Sequence, residues 1–265
     1  MSHHIVQAEK LKFAYPDGTV GISDITFRIT HGESVALVGA NGAGKTTLLL
    51  HLNGCLTADE GVLRIGDYPL TKKNLKAVRR SVGMVFQDPD DQLFMPTVFD
   101  DVAFGLLNLG VPESDVKRQV MRALETVGAM HLSSRPPYKL SGGEKRAVAI
   151  ATVLAMSPDI LVMDEPSSNL DAMSRRRLIK LLKTFDHTKI IATHDLDMAL
   201  ELCERAIFLH NGRIEADGPT LTLFQDEKLL AHTNLEKPLR MQGCPLCGTM
   251  ENIPNQPART GTYQA

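Results

Sequence analysis

The chain has no tryptophan, four tyrosines and four cysteines among its 265 residues, and no charge of one sign prevails. Long apolar runs are also missing: the longest, such as Val35 to Ala40 and Leu48 to Leu50, are sized for a core, far below the roughly 18 to 20 residues that cross a bilayer. The chain is therefore expected not to span a membrane by itself. Met1 to Glu9 lacks the basic start and apolar stretch of a secretory signal, which predicts a cytosolic chain whose cysteines stay reduced. Cys55 and Cys203 lie among apolar residues and read as core fillers. Lys plus Arg at 29 against Asp plus Glu at 31 gives a formal charge of -2, too balanced for phosphate neutralisation along a nucleic acid, so no nucleic-acid partner is expected. At 43% hydrophobic and 23% charged residues, the chain can bury a core without disulfide or metal staples.

Ile5 to Tyr15, Ile22 to Ile29 and Glu33 to Val38 read as short strands, split by Pro16-Asp17-Gly18 and His31-Gly32 turns. Strands then alternate with helices: Val35 to Val38 before Lys45 to Asn53, Val82 to Phe86, Ile160 to Met163 before Asp171 to Phe185, and Lys189 to Thr193 before Asp195 to Cys203. Such alternation predicts a parallel sheet with helices on its faces, an α/β fold. The stretch from about 88 to 145 is helix-rich, with clear periodicity over Glu113 to Val127, and predicts an inserted helical lobe. Asn211-Gly212 marks a hairpin. One domain is expected over 1–235, followed by a flexible Pro- and Gly-containing tail over 236–265.

Gly39-Ala40-Asn41-Gly42-Ala43-Gly44-Lys45-Thr46-Thr47 follows an apolar strand and opens an apolar helix, the context in which G-x-x-x-x-G-K-[ST] binds phosphate. Its backbone NH groups converge on phosphate oxygens, Lys45 reaches the β and γ phosphates, and the Thr46 hydroxyl suits a Mg²⁺ position. An ordinary glycine-rich turn is the bland alternative. Asp164 and Glu165 end a buried strand; Asp164 is the expected metal partner and Glu165 the group that orients and polarises water. Their side chains are expected to point to opposite sides, as on any strand. Leu140-Ser141-Gly142-Gly143-Glu144 opens a helix from Lys145 to Met156 and forms a second anion-binding edge. It lies so far along the chain from Lys45 that a second subunit supplying it in trans is the simplest arrangement.

These segments, with Met163-Asp164-Glu165, Ser168-Asn169-Leu170-Asp171 and His194 in this order and spacing, resemble the ATP-binding cassette (ABC) family over roughly residues 5 to 235. The resemblance implies a P-loop parallel-sheet core with an N-terminal antiparallel β subdomain and an inserted α-helical subdomain. It implies ATP hydrolysis with Mg²⁺ and a head-to-tail dimer holding two ATP molecules between phosphate loops and Ser141 to Glu144 edges. Tyr15 resembles the aromatic that stacks on adenine, Gln87 the residue linking γ-phosphate and Mg²⁺ to the helical lobe, and His194 the switch histidine. Asp171 ends the segment that couples the two sites. Taken singly, Tyr15 is more often a strand-end core aromatic, and His194 is as often a satisfied strand-terminal histidine.

Gln87 to Phe94, followed by Thr97 to Gly105, is similar to the energy-coupling-factor importers, particularly cobalt and nickel members. That implies a peripheral subunit on the cytoplasmic face of the membrane, with a transmembrane coupling protein and a membrane substrate-binding protein as partners. Asp88, Asp90 and Asp91, beside Leu93 and Phe94, would receive an arginine-bearing helix of the coupling protein; an exposed acidic turn is the alternative. Intact motifs on both faces of an ATP site favour a homodimer over pairing with a similar cassette, and lean toward a metal ion over biotin or another vitamin. A chromosome-organising ATPase needs coiled coils for which there is no room between Lys45 and Ser141, a ribosome-associated protein needs two cassettes, and Glu165 with His194 speaks against a nucleotide sensor without turnover. Cys244 and Cys247 supply two thiolates where a structural zinc site needs four ligands; His232, Met241 and Met250 lie near them in sequence. The His3-His4 pair reads as incidental.

Overall fold

Two antiparallel strands begin the fold, the second longer than the sequence suggests. The computed structural model describes residues 4–242. β1 (His4–Ala14) pairs antiparallel with β2 (Val20–Thr30) across the Pro16-Asp17-Gly18 turn. β3 (Ser34–Val38) leads through the glycine-rich loop into α1 (Lys45–Leu52). β4 (Glu60–Ile65) and β5 (Tyr68–Pro69) then complete a four-stranded antiparallel sheet of order β2-β1-β4-β5. Sequence reading missed β4 because only Leu63 and Ile65 of its six side chains are buried. It missed α2 (Leu75–Ser81) too, a helix whose one buried residue, Val78, leaves no apolar stripe to detect.

After β6 (Val82–Val85) come the helices of the lobe: α3 (Val98–Asn108), α4 (Glu113–Thr126) and α5 (Gly142–Ala155), which pack on one another. Thr97 caps α3, and Ser141 with Glu144 forms a reciprocal capping box at the start of α5. The helix after Leu140 thus starts three residues before Lys145, because that box needs Glu144 inside the first turn. The chain continues through β7 (Ile160–Asp164), α6 (Ala172–Lys183), β8 (Thr188–Thr193) and α7 (Leu196–Leu202). The hairpin of β9 (Arg205–His210) and β10 (Arg213–Pro219) turns at Asn211-Gly212, both at positive φ as such a turn requires. Two short helices follow, α8 (Thr220–Leu223) and α9 (Glu227–His232).

The second sheet has the order β10-β9-β3-β8-β7-β6, parallel except for β10. Its strands feed two cores because successive side chains face opposite ways. Ala36, Val38, Leu161 and Met163 join the core beneath the helical lobe and α6, whereas Val35, Leu37, Ile160 and Val162 join the core shared with α1 and the antiparallel sheet. Register aligns Val38 with Thr193 and Asp164 with Ala192, so β3, β8 and β7 end together. Loops leaving these adjacent carboxyl ends share one crevice, where parallel sheets usually bind ligands.

Two expectations need correction. Cys203 is buried, but Cys55 is exposed: α1 stops at Leu52, and the Asn53 side chain accepts the Cys55 N–H at 3.0 Å, turning the chain outward. The segment after 235 does not start as a loose tail. Leu235 and Met241 pack against the larger core, and the Asp197 carboxylate accepts the N–H groups of Leu239 and Arg240, each at 3.0 Å. Cys244, Cys247, Met250 and His3 lie outside the described residues. No helix among the described residues is long and apolar enough to cross a membrane.

His51, on α1, is fully buried, with Nδ1 2.7 Å from the Thr47 carbonyl, the Nε2 atom unpartnered and its ring edge-on to Phe13. Burial holds its pKa below the ordinary 6.5. The folded state therefore binds fewer protons than the unfolded chain in this range, and stability present above about pH 6.5 is lost as pH falls. In urea denaturation between pH 7.5 and 5.5, His51→Phe is expected to lose stability less steeply than the wild type, by at most about 1.4 kcal/mol per pH unit. Equal slopes would remove His51 as the source.

Candidate functional site

The loop between β3 and α1 owes its shape to close backbone approaches. A Cβ on Gly39 would stand 2.3 Å from the Leu209 carbonyl oxygen, and Gly44 adopts φ 102° against the Gly21 carbonyl. Lys45 is buried and turned back over the loop, donating to the carbonyls of Gly39 at 2.8 Å and Ala40 at 3.2 Å. Its Nζ also lies 3.4 Å from Glu165 Oε1. A cation so held can exchange carbonyl oxygens for phosphate oxygens with little movement.

Asp164 is the last residue of β7 and is buried. Burial pushes its carboxyl above the usual range, a Thr46 hydrogen bond opposes this, and the adjacent Glu165 adds to it. Its Oδ1 has no hydrogen-bond partner. Glu165 lies just past the strand at φ 44°, so strand alternation is not what separates the two carboxyl groups. The left-handed turn, fixed by the Glu165 N–H donating to the Ala192 carbonyl at 2.8 Å, swings Glu165 toward His194 instead. Glu165 Oε2 lies 2.8 Å from His194 Nδ1 and accepts the His194 N–H at 3.2 Å.

One cleft of about 480 Å³ is lined by Tyr15, Asn41 to Thr47, Gln87, Glu165 and His194. Tyr15 is held at its rim, hydroxyl to Thr47 Oγ1 at 2.9 Å and ring edge to Phe13 at 5.0 Å. A neighbouring cleft of about 490 Å³ is lined by Gly142, Lys145, Arg146, Ser168 to Leu170 and Asp88 to Asp91, with Gln87 on both. None of Ser141, Gly142 and Gly143 lines the cleft of the phosphate loop. Glu144 is drawn into the cap: its Oε2 accepts the Ser141 N–H and hydroxyl, each at 2.8 Å, so its side chain faces Ser141 and not a ligand edge. Asp171 caps α6 through the N–H groups of Met173 and Ser174, at 2.9 and 3.0 Å.

The Asp88 to Phe94 segment differs in part from expectation. Leu93 is buried in the core of the helical lobe and offers no surface, because the turn over Pro89–Asp91 rotates it inward. Asp90 is paired with Lys145 at 2.6 and 2.8 Å, and Asp88 caps the turn by accepting the Asp90 N–H. Phe94 is 62% exposed and stacks edge-to-face with Phe104, which sits near exposed Leu107. The buried Asp101 secures this segment by accepting the N–H groups of Phe94 and Met95, each at 3.0 Å.

Two residues that sequence reading missed stitch the Gln87 loop to α5. Buried Arg146 donates to the carbonyls of Phe86 at 2.7 Å and Gln87 at 2.6 Å. Gln92 donates to Ala149 O and Thr152 Oγ1 while its Oε1 accepts the Phe86 N–H. A signal existed for Arg146: it shares the stripe of Ala149, Ile150 and Val153, a lone charge on an otherwise apolar helical face.

Gly39→Ala should weaken nucleotide binding about tenfold or more and cost roughly 1–3 kcal/mol of stability, since the new methyl meets backbone that cannot yield. Titration with a fluorescent ATP analogue and urea denaturation check both; wild-type affinity would show that the loop tolerates the shift.

The family model described as "ABC transporter" matches residues 22–168. An ABC transporter ATP-binding protein of Geobacter sulfurreducens is 65% identical over 94% of this chain and 100% of its own length. An energy-coupling factor transporter ATP-binding protein, EcfA of Methanocaldococcus jannaschii, is 42% identical over 95% of this chain and 92% of its own. Among solved structures, cbiO1 from Clostridium perfringens, part of the cbiONQ ABC transporter complex, superposes with a TM-score of 0.76 at 37% identity, covering 88% of this chain and 95% of that one. The cassette MJ0796, a dimer in a post-hydrolysis state bound to ADP and Pi, superposes at 0.74 with 26% identity over 81% of this chain and 98% of its own. The phosphate loop, the strand-end carboxylates and the sheet order agree with these likenesses: the chain belongs to the ABC transporter family, as the ATPase subunit of an energy-coupling-factor type transporter.

Proposed function

We propose that two copies of this chain bind head to tail on the cytoplasmic face of a membrane and hydrolyse ATP to drive a transmembrane coupling protein and a membrane substrate-binding protein that import cobalt or nickel. The observation that carries the reading is the Lys45, Glu165 and His194 array in one cleft that none of Ser141 to Gly143 lines. Each site then lacks one wall, which a second copy supplies.

Lys45 holds the β and γ phosphates, and the loop N–H groups from Gly39 to Thr47 cradle them at the start of α1. Tyr15 supplies an aromatic face for adenine at the cleft rim. Glu165 takes a proton from water as its oxygen attacks the γ-phosphorus in line and the bond to the β-γ bridging oxygen breaks, releasing ADP and phosphate. His194, fixed on Glu165, contacts the γ-phosphate, and Gln87 reports its presence to the helical lobe. Asp164, Thr46 and Gln87 present only hard oxygen donors, and the buried Asp164 Oδ1 has no hydrogen-bond partner, a donor set that fits Mg²⁺. When bound there, the ion would neutralise charge building on the phosphates. Ser141, Gly142 and Gly143 of the opposite copy close over the γ-phosphate, with Glu144 as their cap, and Asp171 stands at the end of the segment joining the two sites. Within 1–235 the insert over about 88–145 acts as the lever.

Phe94, with Phe104 and Leu107, supplies the apolar contact for the coupling protein, and Asp88 and Asp91 flank it with carboxylates suited to an arginine-bearing helix. Asp90 must exchange Lys145 for such a partner. The cobalt or nickel cargo rests on the resemblance of Gln87 to Phe94 and Thr97 to Gly105 to the cobalt and nickel importers and on intact motifs in a single chain; uptake of biotin or another vitamin by the same machinery is the second reading.

Glu165→Gln should bind ATP like the wild type and lose turnover by about a hundredfold or more. Phosphate release decides it, and undiminished hydrolysis would remove Glu165 from proton abstraction. Phe94→Asp should cut recovery of membrane subunits with the chain about tenfold or more, and the wild-type complex should bind Ni²⁺ or Co²⁺ in equilibrium dialysis. A complex that binds biotin and neither metal would overturn the cargo assignment.

A further inference from the structure

The His194 side chain is 59% accessible, and Glu165 is the partner that holds its ring. Its orientation therefore depends on its backbone, and the backbone depends on the next residue. Asp195 is anchored by three residues. Its N–H donates to Thr193 Oγ1 at 2.9 Å, and its Oδ1 caps α7 by accepting the Met198 N–H at 2.9 Å. Arg175, from the first turn of α6, forks onto it with Nε to Oδ2 at 2.6 Å and Nη2 to Oδ1 at 2.8 Å.

Both partners are largely shielded, with side chains 29% and 18% exposed, which places the pair between surface ion pairs of little worth and fully buried ones. Burial alone would raise the Asp195 pKa; the Arg175 fork and the Met198 N–H prevail and hold it below the usual carboxylate range. The two helices are joined again farther along, where Arg176 and Lys183 of α6 reach Glu201 of α7 at 2.8 and 3.2 Å. Arg175 differs from these in position. It acts at the end of α7 next to His194, on the one carboxylate that also caps that helix.

We propose that Arg175 is a positioning residue for ATP hydrolysis, acting through Asp195 to hold His194 against Glu165. The inference rests on the reading of Glu165 and His194 as the hydrolytic pair. A planar fork fixes both the distance and the plane of the Asp195 carboxylate, and so the pitch of the turn from Thr193 to Leu196. Without it, Asp195 keeps its cap but can rotate about it, and the imidazole loses its register on Glu165.

The test uses the full-length chain. Arg175→Met is expected to lower kcat about tenfold or more, with KM and the affinity for a fluorescent ATP analogue within about threefold of wild type. The ring resonances of His194, assigned by difference from His194→Ala, should shift in Arg175→Met, while those of buried His51 stay in place. Arg175→Lys, which keeps the charge without the fork, should give an intermediate kcat, and it carries the comparison if Arg175→Met does not fold. Wild-type kcat and an unmoved His194 resonance in the folded variant, beside an inactive His194→Ala, would overturn this proposal and leave the site reading standing. So would equal losses of kcat and nucleotide affinity. Wild-type turnover in His194→Ala would instead bring down the site reading, and this inference with it.

Discussion

The Lys45 and Glu165 side chains face one another at 3.4 Å, each only 7% exposed, and much of the architecture exists to make that pair tolerable. An ion withdrawn from water costs several kcal/mol unless its neighbours replace the lost hydration. Lys45 finds replacement in the carbonyls of Gly39 and Ala40, which turn inward only because Gly39 can lie against the Leu209 backbone. Glu165 finds it in the N–H and ring of His194, while its own N–H is satisfied by Ala192. Three strands must then end at one level and in one order, β3 beside β8 beside β7, which is the order the sheet adopts. Sheet topology and site chemistry are thus two consequences of one electrostatic requirement.

What could be read from the sequence follows from how local each determinant is. The phosphate loop, the Asp164-Glu165 strand end and the Ser141 edge are contiguous segments whose backbone demands and side-chain chemistry coincide, so pattern alone locates them. Periodicity located α4, and apolar runs located the buried strands, for the same reason. Leu93 and Asp90 were less legible because their environment is made by residues far along the chain: the lobe core takes one and Lys145 takes the other. Cys55 and the docked stretch near Leu239 depend on single side chains, Asn53 and Asp197, that redirect a backbone N–H. The positive φ of Glu165 could not be read at all, since nothing in a Met-Asp-Glu strand end announces a left-handed residue.

Attachment of the helical lobe differs in kind from the packing within either core. Apolar contacts between α5 and the sheet are continuous, yet the Gln87 loop is joined to α5 by a few directional bonds from Arg146 and Gln92. A buried guanidinium does not deprotonate under physiological conditions, so Arg146 must keep carbonyl acceptors even though burial disfavours its charge. It therefore obliges Phe86 and Gln87 to accompany α5 when that helix tilts. With Gln87 lining both clefts, the proposed reading makes it the link between the phosphates and the start of α5.

The Ser141 edge must receive an anion on the proposed reading, and its cap shows how it can do so without unravelling α5. Glu144 Oε2 holds both the Ser141 N–H and the Ser141 hydroxyl at 2.8 Å, whereas the return bond from the Glu144 N–H to Ser141 Oγ is a longer 3.4 Å. Redirecting the hydroxyl to a phosphate oxygen gives up one contact with Glu144 and the weakest bond of the box. The Ser141 N–H remains held, so the backbone that orients Gly142 and Gly143 is kept. These paired hydrogen bonds hold the Glu144 carboxyl below its usual range, so it is charged at neutral pH and stands beside the incoming phosphate. That like charge favours release once the phosphate has lost its bond to ADP, and it opposes the attraction of the helix start. An edge that binds through a helix N-terminus and repels through its own capping acid is suited to a site that must open after every turnover.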